Sequence, residues 1–108
     1  MATSVQFEHG FADVNGAQLY YEIGGQGPPL LLIHARIADS RMWDDNLQAL
    51  AAHHTVLRYD LRGHGRSPMP SGSFSHVADL ASLFQHFSLP RASLIGSSIG
   101  GEVAIDFA

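Results

Sequence analysis

The 108-residue sequence predicts an α/β domain: a β-hairpin, then β-α-β-α-β-α, building a mostly parallel sheet with helices on both faces. Three observations predict it. Short apolar runs at 30–33, 55–59 and 92–95 fit strands covered on both faces, as in a parallel sheet. Between them lie segments whose apolar residues recur at helical spacing. Near the N-terminus, an Asn-Gly pair separates two strand-like runs. Strands alternating with helices argue for right-handed crossovers within one sheet.

Each element has its own signal. Residues 7–14 and 19–23 flank Asn15-Gly16, a pair suited to a tight hairpin turn because both of its central positions need φ > 0. The glycines and prolines of 24–29 read as a loop before the strand 30–33. Ser40 is the expected cap of the next helix, with Asp44 and Asp45 favourably placed in its first turn. Trp43, Leu47, Leu50 and Ala51 form that helix's apolar face, so Trp43 is expected in the core. His53 and His54 close it, where the helix dipole favours them. After the strand 55–59 comes a Gly- and Pro-rich loop, 60–71. Ser75 caps a second helix with Val77, Leu80, Ala81 and Phe84 on one face, ending near Pro90. A last helix starts near Ile99, with Val103, Ala104 and Phe107 inward.

Composition narrows the function. Apolar residues make up 45% and charged residues 15%, and mean hydropathy is +0.03, so the chain can bury a core. Six basic residues, all arginine, against ten acidic ones give a net charge of −4. Without a basic run, nucleic acid and anionic membrane are poor partners. The absence of cysteine excludes disulfide scaffolds, Cys-ligated zinc and iron–sulfur clusters. No apolar run approaches the roughly 20 residues of a membrane span. The first ten residues carry no basic and apolar leader, so a cytoplasmic address is expected. His9, His53, His54, His76 and His86 form no ligand grouping, so no metal is expected. The glycines at 24, 25 and 27 lack the pattern of a nucleotide loop, so no cofactor is expected either.

The chemistry concentrates after three strands. Gly96-Ser97-Ser98-Ile99-Gly100 fits G-x-S-x-G between an apolar strand and a helix. In that setting a tight turn strains the serine, and the flanking positions must be very small to avoid collision. Ser98 Oγ would then stand at the strand's C-terminal end, beside the free N–H groups of the helix start. The plainer reading makes Ser98 only a helix cap. His34-Ala35-Arg36 follows the strand 30–33 and so reaches the same edge of the sheet, where ligands bind in open α/β folds. His34 reads as a structural histidine ordering that loop rather than a proton carrier. Asp60-Leu61-Arg62-Gly63-His64-Gly65-Arg66-Ser67 reads as an architectural loop, with Asp60 pairing with Arg62.

Together these blocks resemble the N-terminal portion of the α/β-hydrolase superfamily, with small esterase, lactonase and haloperoxidase-like members the most similar. The resemblance implies that Ser98 is the nucleophile, and that backbone N–H groups of Ile99 and Arg36 form the oxyanion hole. It implies that His34, Ser97, Gly96 and Gly100 line or shape the site, and that 60–67 is structural. Ala35 stands where the family usually has glycine. Ser98 argues against relatives with an aspartate nucleophile. The family's triad continues with an acid and then a histidine, but after Ser98 the sequence has only Glu102 and Asp106 as acids and no histidine.

The expectation is therefore an incomplete hydrolase domain over 1–108, its C-terminal half missing. The whole protein would act on a small ester, lactone or related acyl substrate, while this chain alone would be inactive. Arg36 at the rim favours an anionic substrate. A non-catalytic ligand-binding or signalling module, or a truncated product without independent function, are the alternatives. The uncovered sheet edge could pair with a second copy.

Overall fold

The computed structural model describes residues 4–69 and 72–108. Pro70 and Ser71 of the predicted 60–71 loop, and Met1 to Thr3 of the segment read for a leader, lie outside the described residues.

Strands β1 (Phe7–Val14) and β2 (Ala17–Gly25) form an antiparallel hairpin. Its turn holds Asn15 at φ 47° and Gly16 at φ 74°, the geometry for which Asn-Gly is suited. β3 (Pro29–Ile33) leads through a 3-10 turn (Ser40–Trp43) into α1 (Asp44–Ala51) and then β4 (Thr55–Tyr59). α2 (His76–His86), β5 (Ser93–Gly96) and α3 (Ile99–Phe107) complete the order. The strands stand as β1-β2-β4-β3-β5. β3 pairs in parallel with both β4 and β5, while β2 is antiparallel to β1 and β4. The sheet is thus mixed in its pairings, yet only β2 runs against the other strands.

The apolar strands β3 and β4 are covered on both faces, whereas β5, expected to be covered as well, is an edge strand that leaves Ser93 and Ile95 exposed. Leu31, Ile33, Leu57 and Tyr59 point to a core shared with Leu80 and Leu83 of α2 and Val103 of α3. Leu30, Leu32 and Val56, one residue out of phase, meet Leu47 and Ala51 of α1. Trp43 packs on this second cluster as expected. Because β4 and β5 lie on opposite sides of β3 and their crossover helices on opposite faces, both crossovers have the same hand.

Two local expectations are corrected. Ser40 does not cap the first helix: the N-cap of α1 is Trp43, with no side-chain cap. Asp39 instead caps the 3-10 turn before it, its carboxylate accepting from the Arg41 N–H at 2.9 Å, while the buried Ser40 donates its own N–H to Asp60 Oδ1 at 2.7 Å. A 3-10 turn therefore precedes α1. Ser75 caps α2 as expected, accepting from the Ala78 N–H at 3.1 Å. Arg62 does not pair with Asp60 but with the buried Asp79 of α2, through Nε at 2.8 Å and Nη2 at 3.0 Å.

Candidate active site

The chain leaves β3 toward α1 on one face of the sheet and leaves the adjacent β5 toward α3 on the other. Such a divergence opens a crevice at the carboxyl ends of the two strands. The two segments singled out by sequence meet there. The Ser97 N–H donates to Ile33 O at 3.1 Å, which fastens the β5–α3 turn to the end of β3.

The turn is as tight as the glycines require. Ser98 has φ 56° and ψ −119°, a combination that L-residues rarely adopt and that costs about 1–3 kcal/mol unless its surroundings enforce it. The packing enforces it here. A Cβ on Gly96 would overlap the carbonyl of Gly100, and one on Gly100 would overlap the carbonyls of Ile33 and His34. Ser98 stands at the N-cap of α3, but its side chain caps nothing, and the residue is exposed. The hydroxyl is left free by the same backbone geometry that turns it away from the helix.

Two amides at this end of β3 and β5 are also unspent. Among the described residues, the N–H groups of Ile99 and Arg36 have no backbone acceptor. Between Arg36 and His34, Ala35 keeps φ outside the left-handed region, so alanine fits where a glycine's freedom is not needed. The Ala35 N–H points at Met42 Sδ, 3.3 Å away.

His34 is fully buried, and the backbone takes both ring nitrogens. The Leu61 N–H donates to Nε2 at 2.9 Å, which places the ring proton on Nδ1, where it donates to Ala35 O at 2.7 Å. Burial pushes its pKa below the usual histidine value, the Ala35 hydrogen bond opposing. This is a neutral brace between the β3 and β4 loops, its ring 5.1 Å from that of His64.

The 60–67 loop is braced in the same way. Buried Asp60 accepts from the N–H groups of Ser40 at 2.7 Å and Arg66 at 2.9 Å. Ser67 Oγ donates to Asp60 O at 2.6 Å and accepts from the Tyr20 N–H at 2.9 Å. Gly65, at φ 50°, leaves room for the Asp60 carboxylate. Asp60 is committed to the loop, and His64 Nδ1 lies 2.9 Å from Arg62 O.

Sequence reasoning weighed His76, at the start of α2, only as a metal ligand. Its Nδ1 is buried without a hydrogen-bond partner among the described residues. Burial lowers its pKa, with the Asp79 carboxylate opposing. A lone histidine after a capping serine carries no signal that would have found it. Glu102 and Asp106 are both exposed on α3. No group of three or more His, Asp or Glu among the described residues is placed to hold a metal, and no helix there is long and apolar enough to cross a membrane.

Known proteins share this arrangement. Residues 30–108 match the sequence profile of the alpha/beta hydrolase family. A soluble epoxide hydrolase from Corynebacterium sp. is 34% identical over 97% of this chain and 38% of its own length. A fluoroacetate dehalogenase from Burkholderia sp. is 33% identical over 88% of this chain and 34% of its own length. The crystal structure of an enol-lactonase from Burkholderia xenovorans superposes with a TM-score of 0.87 at 35% identity, covering 92% of this chain and 41% of that one. The chain thus spans between about a third and two fifths of the length of these relatives. With its profile, its sheet order and its strained serine turn in agreement, the chain belongs to the alpha/beta hydrolase family.

Proposed function

We propose that this chain carries the nucleophile of a serine hydrolase, and that Ser98 attacks the carbonyl of a small ester, lactone or related acyl substrate. The observation that carries the reading is the Ser98 conformation, strained at φ 56° with its side chain bonded to nothing in its own helix. Attack forms the Oγ–C bond and moves the carbonyl π electrons onto oxygen. The N–H groups of Ile99 and Arg36 are the donors assigned to that oxyanion, a contribution worth about 10²–10³ in rate per donor in comparable sites. Collapse expels the alcohol with a proton, and water then hydrolyses the acyl-serine.

The nucleophile's identity selects the substrate class. Relatives include proteins named for epoxide opening and for dehalogenation. A serine alkylated by an epoxide or a haloalkane would be left as an ether, which water does not cleave under mild conditions. A serine acylated by an ester or lactone is itself an ester, which water does cleave. Ser98 therefore favours acyl transfer.

His34 is spent on the backbone and no histidine follows Ser98, so the reading assigns the general base and its acid to residues outside these 108. It assigns this chain by itself little turnover. The test uses the full-length protein. A fluorophosphonate probe should label Ser98, and an activated ester should give an acyl-enzyme burst. Ser98→Ala should abolish both, with a loss of at least about 10³-fold in turnover. Labelling that survives this substitution would move the nucleophile elsewhere. No labelling of the full-length protein would favour a non-catalytic binding module.

A further inference from the structure

The arginines separate into spent and unspent. Arg41 is held by Asp39 at 2.7 Å, Arg58 by Glu22 at 2.6 Å and Asp44 at 2.5 Å, and Arg62 by Asp79 at 2.8 Å. Arg66 lies over the Tyr20 ring, 4.6 Å from its centroid. Arg91 has no ion pair among the described residues, but it lines a cleft with Pro28 and Pro29 at the opposite, amino-terminal edge of the sheet. Arg36 alone combines an exposed, unpaired guanidinium, among the described residues, with a place at the crevice that holds Ser98. Asp39, three residues further on, is committed to Arg41, Asp60 to two amides, and Asp79 to Arg62 and Asn15. In a chain of net charge −4, the rim of this crevice is locally cationic.

We infer that the acyl substrate bears an anionic group, a carboxylate in its simplest form, which Arg36 binds through its guanidinium while its backbone N–H faces the reacting carbonyl. The inference rests on the Ser98 reading and names its substrate class. A carboxylate accepts the planar fork of donors that guanidinium offers and that a neutral acyl chain cannot engage. One residue then fixes the two ends of a short substrate, with the charged end at the rim and the scissile carbonyl at Ser98.

The test compares two activated esters on full-length protein: p-nitrophenyl hemisuccinate, and p-nitrophenyl 4-methylpentanoate, which puts an isopropyl group where the carboxylate stands. The ratio of their kcat/KM values should favour the hemisuccinate. Arg36→Gln, which keeps the backbone N–H, should lower that ratio about ten- to a hundredfold, and Arg36→Lys should keep part of it. A ratio unmoved by Arg36→Gln would overturn the inference. Succinate binding by calorimetry, read in parallel, separates this failure from that of the Ser98 reading. If neither ester is hydrolysed, succinate binding lost in Arg36→Gln still supports the anion site, and absent or unaltered binding overturns it.

Discussion

His34 lies at the end of β3 beside the serine turn, with both ring nitrogens held by backbone groups. Its neutral ring is held by one donated and one accepted hydrogen bond, and protonation would cancel the bond from Leu61. Burial depresses the folded-state pKa of His34, and also that of His76, below the unfolded value of about 6.5. A depressed pKa contributes stability that is complete above the unfolded value. It is lost as pH falls, because the unfolded chain takes up protons that the fold refuses. Urea midpoints measured from pH 8 to pH 5 should therefore fall below about pH 6.5, and His34→Gln should flatten part of the slope. Parallel slopes for the two proteins would show that His34 does not titrate with unfolding. Arg62 teaches the complementary lesson. Sequence proximity suggested Asp60, but two backbone amides claim Asp60, and the true partner lies a loop and a helix turn away at Asp79. Local spacing cannot show such a pairing, which depends on where α2 docks. Asp79→Ala should cost about 3–5 kcal/mol in denaturant unfolding by stranding a buried guanidinium, and the double change Asp79→Leu with Arg62→Met should recover much of it.

At the scale of elements, what the sequence made legible is what the backbone itself dictates. The hairpin turn was readable because Asn15 and Gly16 must both take positive φ. The central strands were readable because coverage on two faces leaves no polar alternation. The elbow was readable for the same kind of reason, since Gly96 and Gly100 are demanded by backbone atoms of neighbouring elements. The start of α1 was misread because a 3-10 turn capped by Asp39 comes first, and α1 then follows Trp43 without a side-chain cap, while Asp60 claims the Ser40 N–H. The elbow argument makes an asymmetric prediction within one dipeptide. Gly100→Ala drives a methyl into the carbonyls of Ile33 and His34, rigid backbone that cannot move aside, and should cost about 1–3 kcal/mol or more. A Cβ on neighbouring Gly101 comes no closer than 3.5 Å to the backbone of Gly96. Gly101→Ala should therefore leave stability unchanged or raise it by about 0.5–1 kcal/mol, the usual gain in a helix. Equal effects at the two positions in chemical denaturation would contradict the packing account.

Over the whole molecule, the two sheet edges differ in kind. β1 presents exposed Glu8 and Asp13 along its open side, charges that discourage another strand from adding there. β5 has no charged residue in Ser93–Gly96 and no neighbour beyond it, and Ile95 is 40% exposed. Ile105 on α3, the helix that packs against β5, is 77% exposed. An unpaired strand with apolar side chains beside it is a template for a further strand. These 108 residues, expressed by themselves, should therefore self-associate through β5, with a sedimentation-equilibrium mass that rises with concentration. Ile95→Lys places a charge on that edge and should shift the population to monomer, whereas a lysine at Phe11, an exposed position on the already charged β1, should not. Association unaffected by Ile95→Lys would locate the contact elsewhere, and a chain monomeric at every accessible concentration would show the edge to be closed in solution. The result also bears on Ser98, because β5 carries the serine turn at its carboxyl end, so a second copy paired along β5 would flank the crevice that holds it.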